Sequence, residues 1–358
     1  MKILRRYLTR EIVSSVVLVL LALLMLFSFF DLINELEDVG KGRYGLGSAL
    51  MFVGLGLPGR LYELFPVGVL IGTMFALAQF VLHSEYTVMR TSGVSVFAMG
   101  RTLVTIGLGF ALVAFLTGEL LAPRSEDAAQ RMRLRETSGA VAISAFRSGL
   151  WVKDEDSFIN VGRILHDTTL QDIRIYEFDP QYRLRTISFA QQGKYARENR
   201  WRLEDVVVTR FEQDHTSVSK LAQMEWHSAL TPRILSVLLI APEKMSIGTL
   251  FSYVKHLRSN HQESGRYEIA LWNKVIYPLT VVVMMFLALP FAYLNIREGG
   301  VSTKIFSGIM VGLGFHLVSR LFGHVGALAA WSPPLAATAP TAIFLGLALM
   351  LLYRLERR

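Results

Sequence analysis

The chain has 358 residues, of which 52% are hydrophobic and 18% are charged, and its formal net charge is +8. This composition is more apolar and less charged than that of an ordinary soluble domain, and it indicates an integral membrane protein. The basic residues cluster beside apolar runs, so we interpret the net charge as a topology signal and not as a nucleic-acid-binding surface. The absence of cysteine excludes disulfides, thiol nucleophiles and cysteine-ligated metals.

Three apolar runs in the first part of the chain are each predicted to cross a bilayer, whose apolar core of roughly 30 Å needs about 20 helical residues. These runs cover residues 12–30, 64–82 and 102–118. The first is too long for the apolar region of a signal peptide, and no small-residue cleavage site follows it. We therefore expect the first run to stay in the mature protein.

The loop between the second and third runs, HSEYTVMRTSGVS, is typical of a short capped helix over residues 84–93. Ser84 suits the N-cap, Glu85 places a carboxylate at the helix N-terminus, and Gly93 suits the helix end. A helix of about two turns is marginal alone in water, so we expect it to pack against the membrane domain or against a soluble partner. The residues alone leave open a third interpretation, an interfacial loop helix whose Glu85 and Arg90 simply face solvent.

Beyond the third run, in residues 123–245, the apolar residues alternate with polar ones. Strand-like pieces occur in GLWVKDEDSFINV, IRIYEFDP, RLRTISFA and WRLEDVVVTRF, and turn signals separate them. We predict an all-β domain of sandwich or jellyroll type. The apolar positions expected to line its interior, as core or as an acyl-chain groove, are Trp151, Phe158, Ile173, Ile175 and Phe178.

Residues 246–268 are predicted to form an amphipathic helix and a linker. Apolar residues recur at helical spacing after a candidate N-cap, Ser246, which favours a helix at the outer membrane–water boundary. Its apolar positions are Ile247, Leu250, Phe251, Val254 and Leu257.

The last part of the chain contains three more predicted spans, over residues 275–296, from about 305, and over 335–353. Prolines in the fourth are tolerated in membrane helices. The stretch WSPPLAATAP between the fifth and sixth predicts a turn. The organisation is thus a first transmembrane half in 1–122, a β domain in 123–245, an interfacial helix in 246–268, and a second transmembrane half in 269–358.

Orientation follows from the basic residues of the short loops, which favour the cytoplasmic side. With both termini cytoplasmic, the outside loops hold only Lys41, Arg43 and Arg60. The inside set is then Lys2, Arg5, Arg6, Arg10, Arg90, Arg101, Arg297, Lys304, Arg354, Arg357 and Arg358. This places the β domain outside.

No catalytic, metal or cofactor site is predicted. The sequence has no G-x-x-x-x-G-K-[ST] motif for ATP phosphates and no H-E-x-x-H motif for zinc. The carboxylates near the spans, Glu63 and Glu119, lie close to outer ends, which argues against a proton relay. No group of residues has nucleophile–base spacing, which disfavours a membrane-bound enzyme. If ATP energises this protein, a partner must bind it.

Several stretches resemble the LptF/LptG permeases of the bacterial lipopolysaccharide exporter, an ABC transporter. They are RRYLTRE, SEYTVMRTSG, GELLAP, GLWVKDEDSFINV, IRIYEFD and SIGTLFSYVKHLRSNHQESGRYEIALWNKVIYPL, and together they span essentially the whole chain. The last stretch and FFDLINELEDVGKGRY are more similar to the LptG branch than to the LptF branch.

The resemblance implies an α-helical inner-membrane protein with six transmembrane helices and an inserted periplasmic β-jellyroll-like domain. It implies a permease subunit that extracts lipopolysaccharide from the membrane and passes it toward the outer membrane, without a cofactor. The implied partners are an LptF-type sibling permease, an LptB-type cytoplasmic ATPase dimer, an LptC-type single-span protein and a periplasmic bridge protein. The rival interpretation is a permease of another ABC system, for lipoprotein release or mechanotransmission, which would have one span before the insert and three after it.

The resemblance also implies site residues. SEYTVMRTSG matches the coupling helix of the family, so the expected ATPase contacts are Glu85, Tyr86, Met89 and Arg90. The family holds lipopolysaccharide between two permeases, with the first and fifth spans as gates, and that substrate needs apolar walls and basic groups at the outer rim. The candidates are Phe27, Phe30, Lys41, Arg43, Arg131, Arg133, Phe306, Met310, Phe315, Arg320 and Phe322.

Each of these residues has an alternative role. The aromatic side chains can pack or face lipid, Arg320 can snorkel to the interface, and Arg131 with Arg133 can form a solvated helix face. The outer end of the first span is acidic where family members can present basic residues. Either divalent cations bridge these carboxylates to phosphate, or Lys41 and Arg43 take the role. The acidic residues are Asp31, Glu35, Glu37 and Asp38.

Overall fold

The computed structural model describes residues 2–40, 42–94, 96–136, 149–154, 157–164, 169–196, 199–212, 215–228, 241–259, 262–294, 301–329 and 331–356. Its α-helices are α1 (Lys2–Leu36), α2 (Leu46–Leu82), α3 (Glu85–Thr91), α4 (Val96–Leu116), α5 (Ala122–Glu136), α6 (Ile247–Ser259), α7 (Gly265–Leu294), α8 (Val301–Leu328) and α9 (Pro333–Glu356). A π-helix, Thr117–Leu121, joins α4 to α5, and a 3₁₀ turn, Pro242–Lys244, precedes α6.

The prediction of six membrane spans is confirmed, because six helices in the described ranges are long and apolar enough to cross a bilayer. The third continues through the π-helix into α5, well beyond the predicted end, since Ala122, Glu126 and Ala129 are buried at helical spacing. The predicted turn in WSPPLAATAP is wrong from Pro333 onward. Pro333 begins α9, because proline at the first helical position has no hydrogen bond to lose.

Helix α2 lies at the centre of the membrane bundle. In the most apolar 18-residue stretch of α2, 72% of the residues are buried, whereas 11% are buried in the corresponding stretches of α1 and α8. Glycines allow both neighbours to approach closely: a Cβ atom at Gly72 would lie 2.5 Å from the Cα of Val16 in α1, and one at Gly312 in α8 would lie 2.9 Å from Val67. Helices α1 and α8 therefore flank α2 and expose most of their apolar surface.

The insert contains β1 (Leu150–Asp154), β2 (Ser157–Ile164), β3 (Leu170–Phe178), β4 (Leu184–Tyr195), β5 (Arg200–Phe211) and β6 (Thr216–His227). They form one antiparallel sheet in sequential order. The all-β insert is thus confirmed, whereas a jellyroll-like closure stays a prediction. Strand β6 was not predicted, because most of its side chains are exposed and polar residues interrupt its alternation.

One face of the sheet carries its core. Ile173 and Ile175 are buried there as predicted, together with Trp201. The prediction is wrong for Trp151 and Phe158, which are 51% and 40% exposed. Side chains alternate between faces along a strand, so the burial of Ile159 and Val161 in β2 directs Phe158 to the other face. There Trp151 stacks on Tyr176, and Phe158 meets Phe178, which is half-buried.

Helix α6 forms where the sequence predicts it. The Oγ atom of Ser246 accepts a hydrogen bond from the backbone N of Thr249 at 3.1 Å, which confirms the N-cap. The apolar face of α6 packs on Tyr267 and Ala270 of α7, so protein covers it. Phe251 does not share that face and is 64% exposed. The location of α6 at a membrane boundary stays a prediction.

Candidate functional site at the two ends of the membrane bundle

The loop helix α3 is attached to α1 through Glu85. The hydroxyl of Tyr7 in α1 donates hydrogen bonds to both carboxylate oxygens of Glu85, at 3.0 and 3.2 Å. The ring of Tyr7 also lies 5.8 Å from that of Phe80 near the end of α2. Glu85 therefore contacts the beginning of the first membrane helix.

The ends of α3 match the predicted helix. The carbonyl oxygen of Ser84 accepts the first helical hydrogen bond, from Val88, although the φ of Ser84 is 59° and not that of a usual N-cap. Gly93 ends the helix with a φ of 87°, and the backbone N of Val94 bonds back to the carbonyl of Met89 at 3.0 Å. The short helix is thus fixed at both ends.

The predicted ATPase-contact residues do not all lie on the outer surface of α3. Met89 is 7% exposed and packs in the hydrophobic core of the helix bundle, and Tyr86 is half-buried against the same core. Exposed apolar side chains at this end include Val88, at 62%, and Phe97 at the start of α4, at 79%. For Arg90 only the backbone, within α3, belongs to the described part of the structure.

At the other end of the bundle, Arg60 of α2 binds the acidic end of α1. Its guanidinium lies 2.5 Å from Asp31 through Nη2, and Nε donates to the same carboxylate at 2.9 Å. Nη1 donates to Glu63 at 2.8 Å. The guanidinium carbon also lies 5.9 Å from the ring centre of Phe27. Two carboxylates therefore surround one arginine.

Arg133 of α5 binds two further carboxylates, Glu35 of α1 and Asp38 just beyond the end of that helix. It donates to Asp38 through Nη2, and its Nε lies 3.5 Å from Glu35, whose side chain is buried. Glu35 also accepts a hydrogen bond of 2.7 Å from Tyr44, and burial together with this bond raises the pKa of Tyr44 well above its ordinary value. The exposed fraction of the Arg133 side chain is 27%.

Two arginines thus pair with three of the four acidic residues at the C-terminal end of the first span, Asp31, Glu35 and Asp38. Lys41 lies outside the described residues, whereas Arg43 and Arg131 are exposed. No group of three potential metal ligands occurs among the residues that the structure describes.

The predicted substrate residues of α1 and α8 differ in exposure. Phe27, Phe30, Phe306, Met310 and Arg320 are exposed on the bundle. Phe306 and Arg320 are separated by fourteen positions, which is about 21 Å along a helix, so they contact different depths of a bilayer.

The other two aromatic candidates pack within the chain. Phe315 is edge-on to Phe344 of α9 at 5.2 Å, and Phe322 is edge-on to Trp331 at 5.8 Å. Both half-buried rings therefore pack against other parts of this chain, and their contact with substrate stays a prediction.

A cavity of about 240 Å³ lies between α2, the π-helix and the helices α7 to α9. Sequence analysis did not single out its most unusual residue, Lys274, which is 6% exposed. Its Nζ donates to the carbonyl of Gly118 at 3.1 Å and lies 5.5 Å from the ring centre of Tyr62. The sequence does contain a signal for this site, because a lysine next to an apolar run is rare in a membrane helix and needs a partner.

Comparisons with known proteins match almost the whole chain to one family, although one branch of that family matches only part of it. The family model described as "Lipopolysaccharide export system permease LptF/LptG" matches residues 6–354. The lipopolysaccharide export system permease protein LptG of Haemophilus influenzae is 30% identical over 350 residues, which is 98% of each chain. LptG of Escherichia coli K12 is 30% identical over 358 residues, again 98% of each chain. LptF of the same strain is 28% identical over 109 residues, 30% of each chain.

Proposed function

The chain belongs to the LptF/LptG family of lipopolysaccharide export permeases, and from this membership we propose how its two ends serve transport. It is a permease subunit of the lipopolysaccharide ABC exporter and a multi-pass protein of the inner membrane, and it functions with a sibling permease. It is not an enzyme, since a separate subunit hydrolyses ATP. The observation that carries this conclusion is the match of residues 6–354 to the family model. The fold agrees with it, because three membrane helices lie on each side of the described β-sheet.

The proposed arrangement has both termini in the cytoplasm and the β domain in the periplasm. The asymmetry of lysine and arginine in the short loops supports it. The proposed partners are an LptF-type permease, an LptB-type ATPase dimer, an LptC-type single-span protein and a periplasmic bridge. The proposed domains are residues 1–122, 123–245, 246–268 and 269–358.

The ATPase contact is proposed at α3. Val88 and Phe97 expose apolar surface there, and Glu85 and Arg90 supply charge. Tyr86 and Met89 support the contact from inside by anchoring α3 to the membrane core. Because Glu85 also holds Tyr7, a displacement of α3 by the ATPase would reach α1 directly.

The lipopolysaccharide cavity is proposed between this chain and the sibling permease, with α1 and α8 as its walls. These are the two spans with the least buried surface, which leaves their apolar side chains for acyl chains or for the sibling. Phe27, Phe30, Phe306 and Met310 would contribute walls, and Phe315 and Phe322 would support α8 from behind.

Basic side chains at the outer rim are the proposed contacts for the anionic headgroup. Arg43, Arg131 and Arg320 are exposed and suit phosphate oxygens, as does Lys41 by sequence. Arg133 serves first as an internal partner of α1, so a phosphate would compete with Glu35 and Asp38 for its guanidinium.

Accessibility labelling tests the proposed orientation, and the cysteine-free chain is well suited to it. A cysteine at Tyr182, 80% exposed in the turn between β3 and β4, is expected to react with a membrane-impermeant maleimide in cells with a permeable outer membrane. A cysteine at Ile3, 87% exposed near the N-terminus, is expected to react only after the inner membrane is opened. The reverse labelling pattern would refute the orientation.

A further inference from the structure

The π-helix Thr117–Leu121 interrupts the third membrane helix where α4 becomes α5. Such single turns shift the hydrogen-bond register and occur frequently at functional sites. Gly118 lies in this turn under the ring of Tyr62, and a Cβ atom at this position would overlap that ring. The π-helix is therefore packed tightly against α2.

Lys274 of α7 holds this turn from the other side. Its buried ammonium donates to the Gly118 carbonyl at 3.1 Å, a carbonyl of the irregular turn. Tyr62 and Tyr277 stack at 4.0 Å beside it, and the hydroxyl of Tyr277 donates to the backbone carbonyl of Tyr62. One lysine thus connects α7 to the junction of α4 and α5, next to α2.

The residue after Gly118 connects the same turn to α6. Both carboxylate oxygens of Glu119 accept hydrogen bonds from the backbone N of Ile247, at 2.9 and 3.1 Å. Ile247 is the first residue of α6, where the helix dipole favours a negative charge. A second bond, from Lys244 to Glu126 of α5 at 2.9 Å, holds the turn before α6.

The far end of α6 is attached to α7. Arg258 donates two hydrogen bonds to Glu268, at 2.7 and 2.9 Å. Helix α6 is therefore bound at its beginning to the π-helix and at its end to the start of the fourth span. Along the chain, α5 precedes the β domain and α6 follows it.

We propose that Lys274, Gly118 and Glu119 form a joint that transfers movement of the membrane helices to α6 and thereby to the β domain. Lys274 is a positioning residue: it fixes the π-helix, and Glu119 then fixes α6. The inference deepens the proposed function, because it names the residues through which ATP-driven rearrangement of the bundle reaches the part of the protein that hands lipopolysaccharide on.

The test is Lys274→Met in the assembled transporter, reconstituted in vesicles that contain lipopolysaccharide. The variant is expected to hydrolyse ATP within about twofold of wild type, while lipopolysaccharide released per ATP falls about tenfold, a size typical of residues that couple two sites. Lys274→Arg keeps a donor for Gly118 and is expected to restore most of the loss. A purely structural role would lower assembly and hydrolysis together.

Lys255→Met is the matched control, since it removes an exposed lysine from the surface of α6. It is expected to behave as wild type. A wild-type ratio of release to hydrolysis in Lys274→Met, or an arginine variant as defective as the methionine variant, would overturn the joint. Failure of the wild-type transporter to release lipopolysaccharide would instead refute the proposed function.

Hydrogen exchange of wild-type transporter gives a second test that needs no variant. Amides of residues 247–259 are compared between the nucleotide-free complex and the complex trapped with a non-hydrolysable ATP analogue. The joint predicts that exchange in the first turn of α6 changes with nucleotide, because exchange reports local opening. Identical exchange in both states would overturn the proposed joint. Because this test uses only the wild-type transporter, it remains decisive if Lys274→Met does not assemble.

Discussion

Replacing Glu85 with alanine is expected to uncouple ATP hydrolysis from lipopolysaccharide release while the subunits still assemble. Glu85 begins α3, the proposed ATPase contact, and its two carboxylate oxygens share a bifurcated hydrogen bond from the hydroxyl of Tyr7 in α1. Its loss removes both the charge at the contact and the bond to the first span. We expect about a tenfold fall in release per ATP, equivalent to 1.4 kcal/mol.

Tyr7→Phe separates the two roles of Glu85, because it removes the hydrogen bond and keeps the carboxylate. A partial loss is expected if Glu85 acts on α1, and no loss if it acts only on the ATPase. Thr87→Ala, at an exposed position of the same helix, is the control and should retain wild-type coupling. Normal export and normal coupling in Glu85→Ala would refute its role.

Arg133→Glu is expected to destabilise the protein by about 3 kcal/mol, the lower end of the range for removing one partner of a buried ion pair. The reversal places a third carboxylate beside Glu35 and Asp38, and Glu35 is itself buried. The lower end applies because Arg133 is partly exposed. Thermal unfolding of the purified transporter in detergent measures the effect.

Arg131→Glu is the matched control, the same reversal two positions earlier in α5 at an exposed side chain. It is expected to leave the unfolding temperature unchanged and to weaken only lipopolysaccharide binding. Arg133→Lys should retain most of the stability, since it keeps the charge and loses the forked geometry. Equal unfolding temperatures for Arg131→Glu and Arg133→Glu would show that Arg133 does not hold α1.

The sequence was sufficient for features that depend on local periodicity. Apolar runs predicted all six spans, alternation predicted five of the six described strands, and cap residues such as Ser246 and Gly93 marked helix ends. The family resemblance rested on the same local stretches. Strand β6 was not predicted, because its exposed and mostly polar side chains do not alternate clearly between apolar and polar residues.

Features that depend on contacts between distant residues were not predictable in this way. Arg133 and Asp38 are 95 positions apart, so their pairing changed Arg133 from a proposed headgroup contact into an internal partner of α1. The joint at the π-helix joins Lys274 to Gly118 across 156 positions. Neither pair leaves a periodic signal, because only the packing of whole helices brings the two side chains together.

The most direct test of the account is ATP-dependent transfer of lipopolysaccharide from vesicles to a soluble acceptor. The chain is reconstituted with the sibling permease and the cytoplasmic ATPase, and the transfer rate is compared with that of vesicles lacking this chain. We expect transfer only when the chain, the ATPase and ATP are all present. Equal transfer without this chain, or without ATP, would contradict its assignment as a permease that moves lipopolysaccharide by using ATP hydrolysed in a separate subunit.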